Sequence, residues 1–544
     1  MLSLFKKKTV IWLLLILVFG LSLRVYKLSE LPLYGDELTM VYDSYSLLKT
    51  GKDQLGNAWP INFSMGEGRP AGYVYTSIPL VALFGTGAWG VRALSVLSGL
   101  GIMVVVYLVG KQLFSEKVGL MASFIISVSP WEMSLSRGGF EAHFALFLSL
   151  LGVCLFLSSR RQPSNLIWAV VAWGLTVHTY PTYRIILPMF LPVVLYFVGS
   201  SQKLVKLYGK KRLLLALFIF LFFTTTSFQQ TFSSSSIDRV KRIGVFSDRE
   251  LTEKLVQKIN YERSIDSLGK VTVFFHNKPV ERFKVLISNY FQIFSPQFLF
   301  LTGDGNPRHN MSEMGEFYWV EAFLMVVGLV FLVVKRERKK LILLSVWILV
   351  APLASAITGG PHALRSAFLL PPLILLSATG VVEGLSLLPK RRLIILGLMT
   401  LWFFQFTLYL ERVYFLAPQK HGRFWSEMAK TVSLVTMEQK EKYDLILLSD
   451  KIDNIEYAYQ VYARLDPVGV ISQNQKPIEM RGVKELKQFG NVLIGQFPDT
   501  EIFIKSLSGN ILYIGDIAEK NRFSQFQILE AGDKTGGIVF CQKN

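Results

Sequence analysis

Apolar residues in this chain come in long unbroken runs rather than at amphipathic spacing, the pattern of helices that face lipid or one another on all sides. Eleven runs predict membrane spans at 9–24, 88–109, 118–135, 141–158, 165–180, 184–199, 212–228, 318–334, 341–357, 366–388 and 393–410. A further stretch, 73–84, is too short to cross a hydrocarbon core that takes about 20 residues, and reads as a helix lying in the interface or half-entering the membrane. Beyond residue 410 the runs give way to a charged, mixed sequence. Short apolar segments there, at 445–448, 468–471, 492–494, 511–514 and 538–540, predict strands; helices around 424–435 and 455–463 alternate with them, which suggests an α/β layer. The expected architecture is a polytopic α-helical membrane domain over 1–410 and a soluble α/β domain over 411–544.

A chain of 544 residues with 51% hydrophobic content is no ordinary soluble globule. Its net charge of +19 would suit nucleic acid, but the distribution says otherwise. Basic residues gather in alternate short loops: Lys6, Lys7 and Lys8; Lys111 and Lys117; Arg160 and Arg161; Lys203 through Arg212; Lys335 through Lys340; Lys390, Arg391 and Arg392. The positive-inside rule puts these loops in the cytoplasm. The N-terminus is then cytoplasmic and, with an odd number of spans, the C-terminal domain is extracytoplasmic, in a multi-pass protein of the cell membrane. Clusters so placed serve orientation and anionic headgroups, and no nucleic-acid partner is expected. The first run resembles a signal peptide, but no small-residue cleavage pattern precedes Arg24, so it is expected to be retained. Cys154 lies in a span and Cys541 in the last domain, which excludes a disulfide framework.

On this topology the polar complexity lies on the outer face. Asp36 and Glu37 stand side by side in the loop 25–87, and ionisable groups near membrane depth are functional candidates by default. A helix over 37–48 capped by Asp36 is the plainer alternative. In the turn around Ser136-Arg137-Gly138-Gly139-Phe140-Glu141, the planar fork of Arg137 suits phosphate oxygens. It equally suits snorkelling, with Glu141 as its partner one helical turn on. The third turn, His178-Thr179-Tyr180-Pro181-Thr182-Tyr183-Arg184, brings a histidine, two phenols and a guanidinium, which also fit an interface anchor. His362 and Arg365 follow Gly359-Gly360-Pro361, and Arg69 stands in the first loop. A carboxylate pair and several guanidiniums on one surface are what holding an anionic lipid headgroup beside a base requires.

The order Asp36-Glu37, then Ser136-Arg137-x-x-x-Glu141, then His178 to Arg184 resembles bacterial glycosyltransferase family 39. That family includes protein O-mannosyltransferases and relatives of the aminoarabinose-to-lipid A transferase, all of the GT-C membrane fold. The similarity covers roughly residues 10–410, including Phe298 to His309 and Pro361-His362-Ala363-Leu364-Arg365. The resemblance implies a polyprenyl-phosphate sugar as donor, reached from the outer leaflet, catalysis by the acidic pair, and contact of Arg137 with the lipid phosphate. Where the mannosyltransferases carry His-Pro-Pro, this chain has Arg69-Pro70-Ala71, which puts a protein Ser/Thr acceptor in doubt and leaves glycan, lipid and protein acceptors open.

A phosphate leaves as a stable anion and needs cations more than a proton, unlike the leaving oxygen in ordinary glycoside hydrolysis. One base and a phosphate clamp then suffice. The expected roles are Asp36 as general base, with Glu37 orienting acceptor or sugar and able to exchange with it, and Arg137, Arg69, Arg184 and Arg365 around the phosphate. Glu141, His178, Tyr180, Tyr183, His309 and His362 are expected to line the substrate pocket. Direct displacement inverts the anomeric centre. No cofactor is required; a divalent metal is permitted, although no histidine pair has a recognised ligand spacing. The C-terminal domain reads as acceptor recognition, a lid or a stabilising cap. The alternatives are a lipid-linked sugar flippase or transporter, which would be expected to show internal repeats and mid-span charges, and a non-catalytic binding scaffold.

Overall fold

The computed structural model describes residues 7–64, 68–198, 201–231, 244–246, 248–389, 391–497, 500–522, 527–530 and 538–543. Contacts divide the chain into two compact units, Met1–Tyr26 with Glu67–Gly72 and Ser95–Phe415, and Lys27–Gly66 with Tyr73–Leu94 and Leu416–Asn544. The polar turns and loops of the first apolar stretch are thus shared out: residues 69–72 go with the membrane helices, and the rest of the first long loop goes with the C-terminal region.

Each expected span coincides with helical structure; residues 73–94, which include the start of the second span, are grouped with the second unit and the other spans with the first. Seven described helices are long and apolar enough to cross a membrane, eight if the bent pair Glu116–Val128 and Pro130–Ser136 is one span. The expected span 118–135 is this pair, bent by 62°. The bend has a local cause: Pro130 lacks an N–H and disfavours helical geometry in its predecessor, so Ser129 is extended at φ −62°, ψ 129°. Three other expected spans are shorter helices, Asn165–Val177, Tyr183–Phe197 and Trp319–Val334, and the interfacial stretch is the helix Gly72–Phe84. Pro371 and Pro372 do not break their span because they occupy the first turn of Leu370–Val382, where no intrahelical N–H bond is lost. In the second long loop the described part holds two helices that the apolar runs do not announce, Arg249–Ile265 and Lys278–Gln292.

The helices Trp319–Val334 and Leu370–Val382 approach closely through glycine. A Cβ on Gly380 would lie 2.1 Å from the Leu324 carbonyl oxygen, and one on Gly328 2.2 Å from that of Leu376. Small residues let backbones come together in this way where lipid offers no hydrophobic drive for association.

The second unit is a seven-stranded sheet with helices. We label its strands β1 (Leu445–Ser449), β2 (Ile478–Met480), β3 (Val483–Phe489), β4 (Val492–Gly495), β5 (Ile511–Asp516), β6 (Gln527–Glu530) and β7 (Ile538–Lys543), in the order β2-β3-β4-β1-β5-β7-β6. The central β4, β1 and β5 are parallel, with Ile446 opposite Val492 and Leu445 opposite Ile511, and the remaining neighbours are antiparallel. β1 is buried along nearly its whole length, as a central parallel strand covered on both faces must be. One expected strand, 468–471, is instead part of the helix Pro467–Gln475. Asp466 caps it by accepting from Gly469 N, and Pro467 begins it, a start signal that outweighs the local β-branched residues. Gly532, Gly536 and Gly537, read as turn residues, lie outside the described residues.

The first loop is built into this unit. Its helix Gly35–Thr50 packs on Ile455–Tyr462 and Pro467–Gln475. Tyr42 donates to Leu465 O at 2.9 Å, Asn474 to Gln54 O at 2.7 Å, and Gln475 to Leu55 O at 3.1 Å. A hydrophobic core lies within the sheet region around Leu447, Leu493, Phe497, Ile504 and Tyr513.

Replacing Gly380 by Val forces a side chain into the Leu324 backbone, which cannot rotate away. The expected cost is about 1–3 kcal/mol, seen as a lower thermal midpoint of the purified protein in detergent; an unchanged midpoint would mean the two helices do not meet there.

Candidate functional site

In the first unit, breaks between apolar helices leave polar turns that one another's side chains tie together. Trp131 N donates to Glu316 O at 3.2 Å, and the Trp131 indole donates to Ala363 O at 3.1 Å. The turn after Pro130 is thereby fastened to two others, 302–318 and 358–365. Between them sits Asp304. Its Oδ1 accepts from Asn306 N at 2.8 Å, and its Oδ2 accepts from Ala363 N at 2.7 Å and lies 3.0 Å from His309 Nδ1. His362 Nδ1 is 3.9 Å from the same oxygen. The His309 and His362 rings are 4.6 Å apart at 34°, and Phe140 meets His309 edge-on at 5.8 Å.

Burial would by itself raise the Asp304 carboxyl, but the hydrogen bond from His309, the charges of His309 and His362, and the Ala363 N–H outweigh it and lower it to about 2. Glu316, whose Oε1 accepts from Asp304 N at 2.9 Å, is pushed well above the usual carboxylate range, by burial first and by Asp304 second. Their surroundings thus pull the two buried acids apart, favouring the ionised form of Asp304 and the neutral form of Glu316.

The other turns join the same assembly. Arg69 Nε meets Glu141 Oε1 at 2.6 Å, so the partner of Glu141 is Arg69 and not Arg137 as helical spacing suggested. Gly72 N donates to His178 O at 3.1 Å, and a Cβ on Gly72 would lie 2.3 Å from Thr179 Oγ1. Residues 69–72 thus bridge the second and third turns. His178 Nε2 lies 3.0 Å from Thr226 Oγ1. Tyr180 and Tyr183 are buried, the latter edge-on to Phe368 at 5.7 Å. Arg184 donates from Nε to Val177 O at 3.2 Å and Arg365 from Nη1 to Thr358 O at 2.9 Å, and both remain half-buried.

Arg137, expected at a lipid phosphate, is 6% exposed. Its Nη1 donates to Leu23 O, Arg24 O and Tyr26 O at 3.1, 2.9 and 2.8 Å, and its guanidinium lies 4.8 Å from the Tyr414 ring centre. It closes the C-terminal end of the helix Lys7–Val25, where orphan carbonyls and the negative end of the helix dipole favour a cation.

In the second unit the acidic pair divides. Asp36 is exposed in the first turn of Gly35–Thr50, and it is Glu37, not Asp36, that accepts from Tyr34 N at the helix start. Glu37 is fully buried against Arg92: Nε to Oε1 and Nη2 to Oε2 are both 2.7 Å. Arg92 spends its other N–H groups on Leu28 O at 2.7 Å, Leu31 O at 3.0 Å and Pro32 O at 2.6 Å, and lies 5.0 Å from the Trp425 ring centre. The adjoining Gly35 fits against Asn454, whose Oδ1 would be 2.5 Å from a Cβ there. Both carboxylate oxygens of Glu37 are held by Arg92, whereas Asp36 is exposed.

Arg92 carried a signal that went unread, a lone guanidinium inside an apolar run. So did the fully buried set Arg24, Glu132 and His143, in which Glu132 binds Arg24 Nη2 and lies 3.0 Å from His143 Nε2. Asp304 could not be assigned a role from sequence because two of its partners, His362 and Ala363, come from a loop far along the chain. The three ligand-bearing groups Asp304, His309 and His362 offer atoms within 4.8 Å of one another, an arrangement that residue spacing hid.

Comparison with known proteins agrees with this architecture. Residues 69–227 match the family model described as dolichyl-phosphate-mannose-protein mannosyltransferase. The crystal structure of ArnT from Cupriavidus metallidurans in the apo state superposes with a TM-score of 0.56 at 11% identity, over 98% of this chain and 97% of that one. The chain has the GT-C fold. The GT-C resemblance read from the motifs is thereby borne out. The same ArnT bound to undecaprenyl phosphate gives 0.54 at 12% identity, with the same coverage of 98% and 97%. YkcB of Bacillus subtilis (strain 168), named as a candidate mannosyltransferase, is 26% identical over 197 residues, 35% of this GT-C chain. That match spans about a quarter of YkcB's own length, 26%.

Removing Arg92 alone leaves Glu37 as a buried charge with no cation. Arg92→Met is expected to destabilise by about 3–5 kcal/mol, and Arg92→Met with Glu37→Leu by less than that, as read from thermal midpoints of the purified proteins. Equal loss in both would mean the guanidinium acts only through the carbonyls of residues 28–32.

Proposed function

We propose that this chain is a membrane glycosyltransferase that moves a sugar from a polyprenyl-phosphate donor to an acceptor on the extracytoplasmic side. The observation that carries the reading is agreement in fold over 98% of the chain with an ArnT whose structure holds undecaprenyl phosphate. The mannosyltransferase family model over residues 69–227 and the membrane-length helices support it. The basic clusters in alternate loops support an orientation with the N-terminus in the cytoplasm and the C-terminal region outside.

Asp36 acts as general base. It is the exposed member of the acidic pair, and it takes the proton of the acceptor hydroxyl or amine as that atom attacks the anomeric carbon. The bond from that carbon to the phosphate oxygen breaks, the electron pair leaves with the polyprenyl phosphate, and the anomeric centre inverts. Glu37 does not exchange roles with Asp36; through Arg92 it positions the loop that carries the base. Arg184 and Arg365, the half-buried guanidiniums, stabilise charge on the departing phosphate. Arg69 and Arg137, engaged with Glu141 and with the end of the first helix, hold the turns around them. Glu141, His178, Tyr180, Tyr183, His309 and His362 belong to the substrate pocket.

The test is transfer from an undecaprenyl-phosphate-linked sugar by purified protein. Asp36→Asn is expected to keep donor binding and to lose transfer by about 10² to 10⁴, the range for removal of a general base. Full activity of that variant would overturn the assignment. Mass spectrometry of envelope glycans from cells lacking the chain would identify sugar and acceptor together.

A further inference from the structure

We infer that Asp304, His309 and His362 form a transition-metal site of the kind that takes Zn²⁺, within the loops 302–318 and 358–365. This goes beyond the transfer reaction proposed above and does not depend on it.

The spacing fits. A tetrahedral ion with ligand bonds near 2.0–2.1 Å holds its ligands about 3.3 Å apart. Asp304 Oδ2 is 3.0 Å from His309 Nδ1 and 3.9 Å from His362 Nδ1, which brackets that value. The ligand atoms of all three residues already lie within 4.8 Å of one another. The donor set selects the ion: two imidazoles and one carboxylate suit zinc and its neighbours, whereas calcium and magnesium want oxygen throughout.

The surroundings fit as well. Asp304 and Glu316 place two buried carboxyl groups together, and both His309 and His362 face the Asp304 carboxylate. Ligand orientation is set from behind: Asn306 N and Ala363 N fix the Asp304 carboxylate, and Phe140 packs against the edge of His309. Such outer partners are what hold ligands ready in metal sites.

A second group, Glu262, His276 and Glu281, has comparable spacing but the opposite electrostatics. Glu281 is already met by Lys258 at 2.7 Å and Lys284 at 2.5 Å, and His276 has Glu262 on one ring nitrogen and Asp266 on the other. An incoming cation would have to displace two ammonium groups. That group serves as the internal control.

Three protein ligands leave a fourth position. His362 is the most open of them, at 23% exposure, and water or an oxygen anion such as a phosphate completes the shell from its side.

The experiment is titration of the metal-stripped, full-length protein in detergent with ZnCl₂, followed by desalting and elemental analysis, with calorimetry for affinity. The expected result is about one retained zinc per chain, a thermal midpoint raised by zinc, and affinity lower by roughly 10-fold or more in His362→Gln and Asp304→Asn. His276→Gln should bind as the unaltered chain does. His362 is partly exposed, so His362→Gln keeps the metal-free midpoint and carries the test even if Asp304→Asn fails to fold. No retained zinc, equal retention in His362→Gln, or loss in His276→Gln instead, would each overturn the inference.

Discussion

A guanidinium taken out of water must find an acceptor for every N–H it carries, and Arg92 finds all five within its own unit: two on Glu37 and three on the carbonyls of Leu28, Leu31 and Pro32. Missing even one would leave a buried donor costing about 1–3 kcal/mol. The segment 28–37 is consequently allowed few conformations, and the acid one residue beyond Tyr34 and Gly35 inherits that order. The same demand recurs in the membrane unit. It is met there only in part: Arg24 donates to Gly20 O, Ser127 O and Glu132, and Arg137 to three carbonyls at the end of the same helix, while the Nε of each has no hydrogen-bond acceptor among the described residues. In a bundle whose helices have little hydrophobic reason to associate, such charges fix which ends meet.

The two acids that look alike in sequence are therefore different chemical objects. Glu37 is neutralised, desolvated and bidentate; Asp36 is hydrated at the first turn of a helix whose N-terminal dipole favours a negative charge. In the mechanism proposed above, the residue that exchanges a proton with a mobile reactant is distinct from the counter-ion that holds the backbone. The division of labour follows from one helical step, which turns Asp36 outward and Glu37 inward.

What could be read without coordinates follows the same physics. Long apolar runs, a signal carried by 15 or more residues at once, located the membrane helices and the resemblance located the fold. Bends at Pro130 were foreseeable in kind but not in degree. Pairings were not legible. Helical spacing proposed Arg137 for Glu141, yet Arg69 takes it from another loop, since a turn at Gly138-Gly139 interrupts the helix that the spacing assumes. Asp304 meets Ala363 and His362 across most of two membrane helices, and no local pattern records such a contact. The strand expected at 468–471 failed because Asp466-Pro467 starts a helix, a local cue that was available and outranked by composition.

The second unit gathers residues 27–66 and 73–94 with everything after residue 416. These pieces are separated in the chain by the residues Ser95–Phe415 of the first unit. The helix bearing Asp36 lacks Tyr462, Leu465 and Asn474 as neighbours until the final fifth of the chain emerges. The fold thus builds in a delay: the helices of the first unit are synthesised before the segments against which the acid-bearing loop packs, so that loop assembles late.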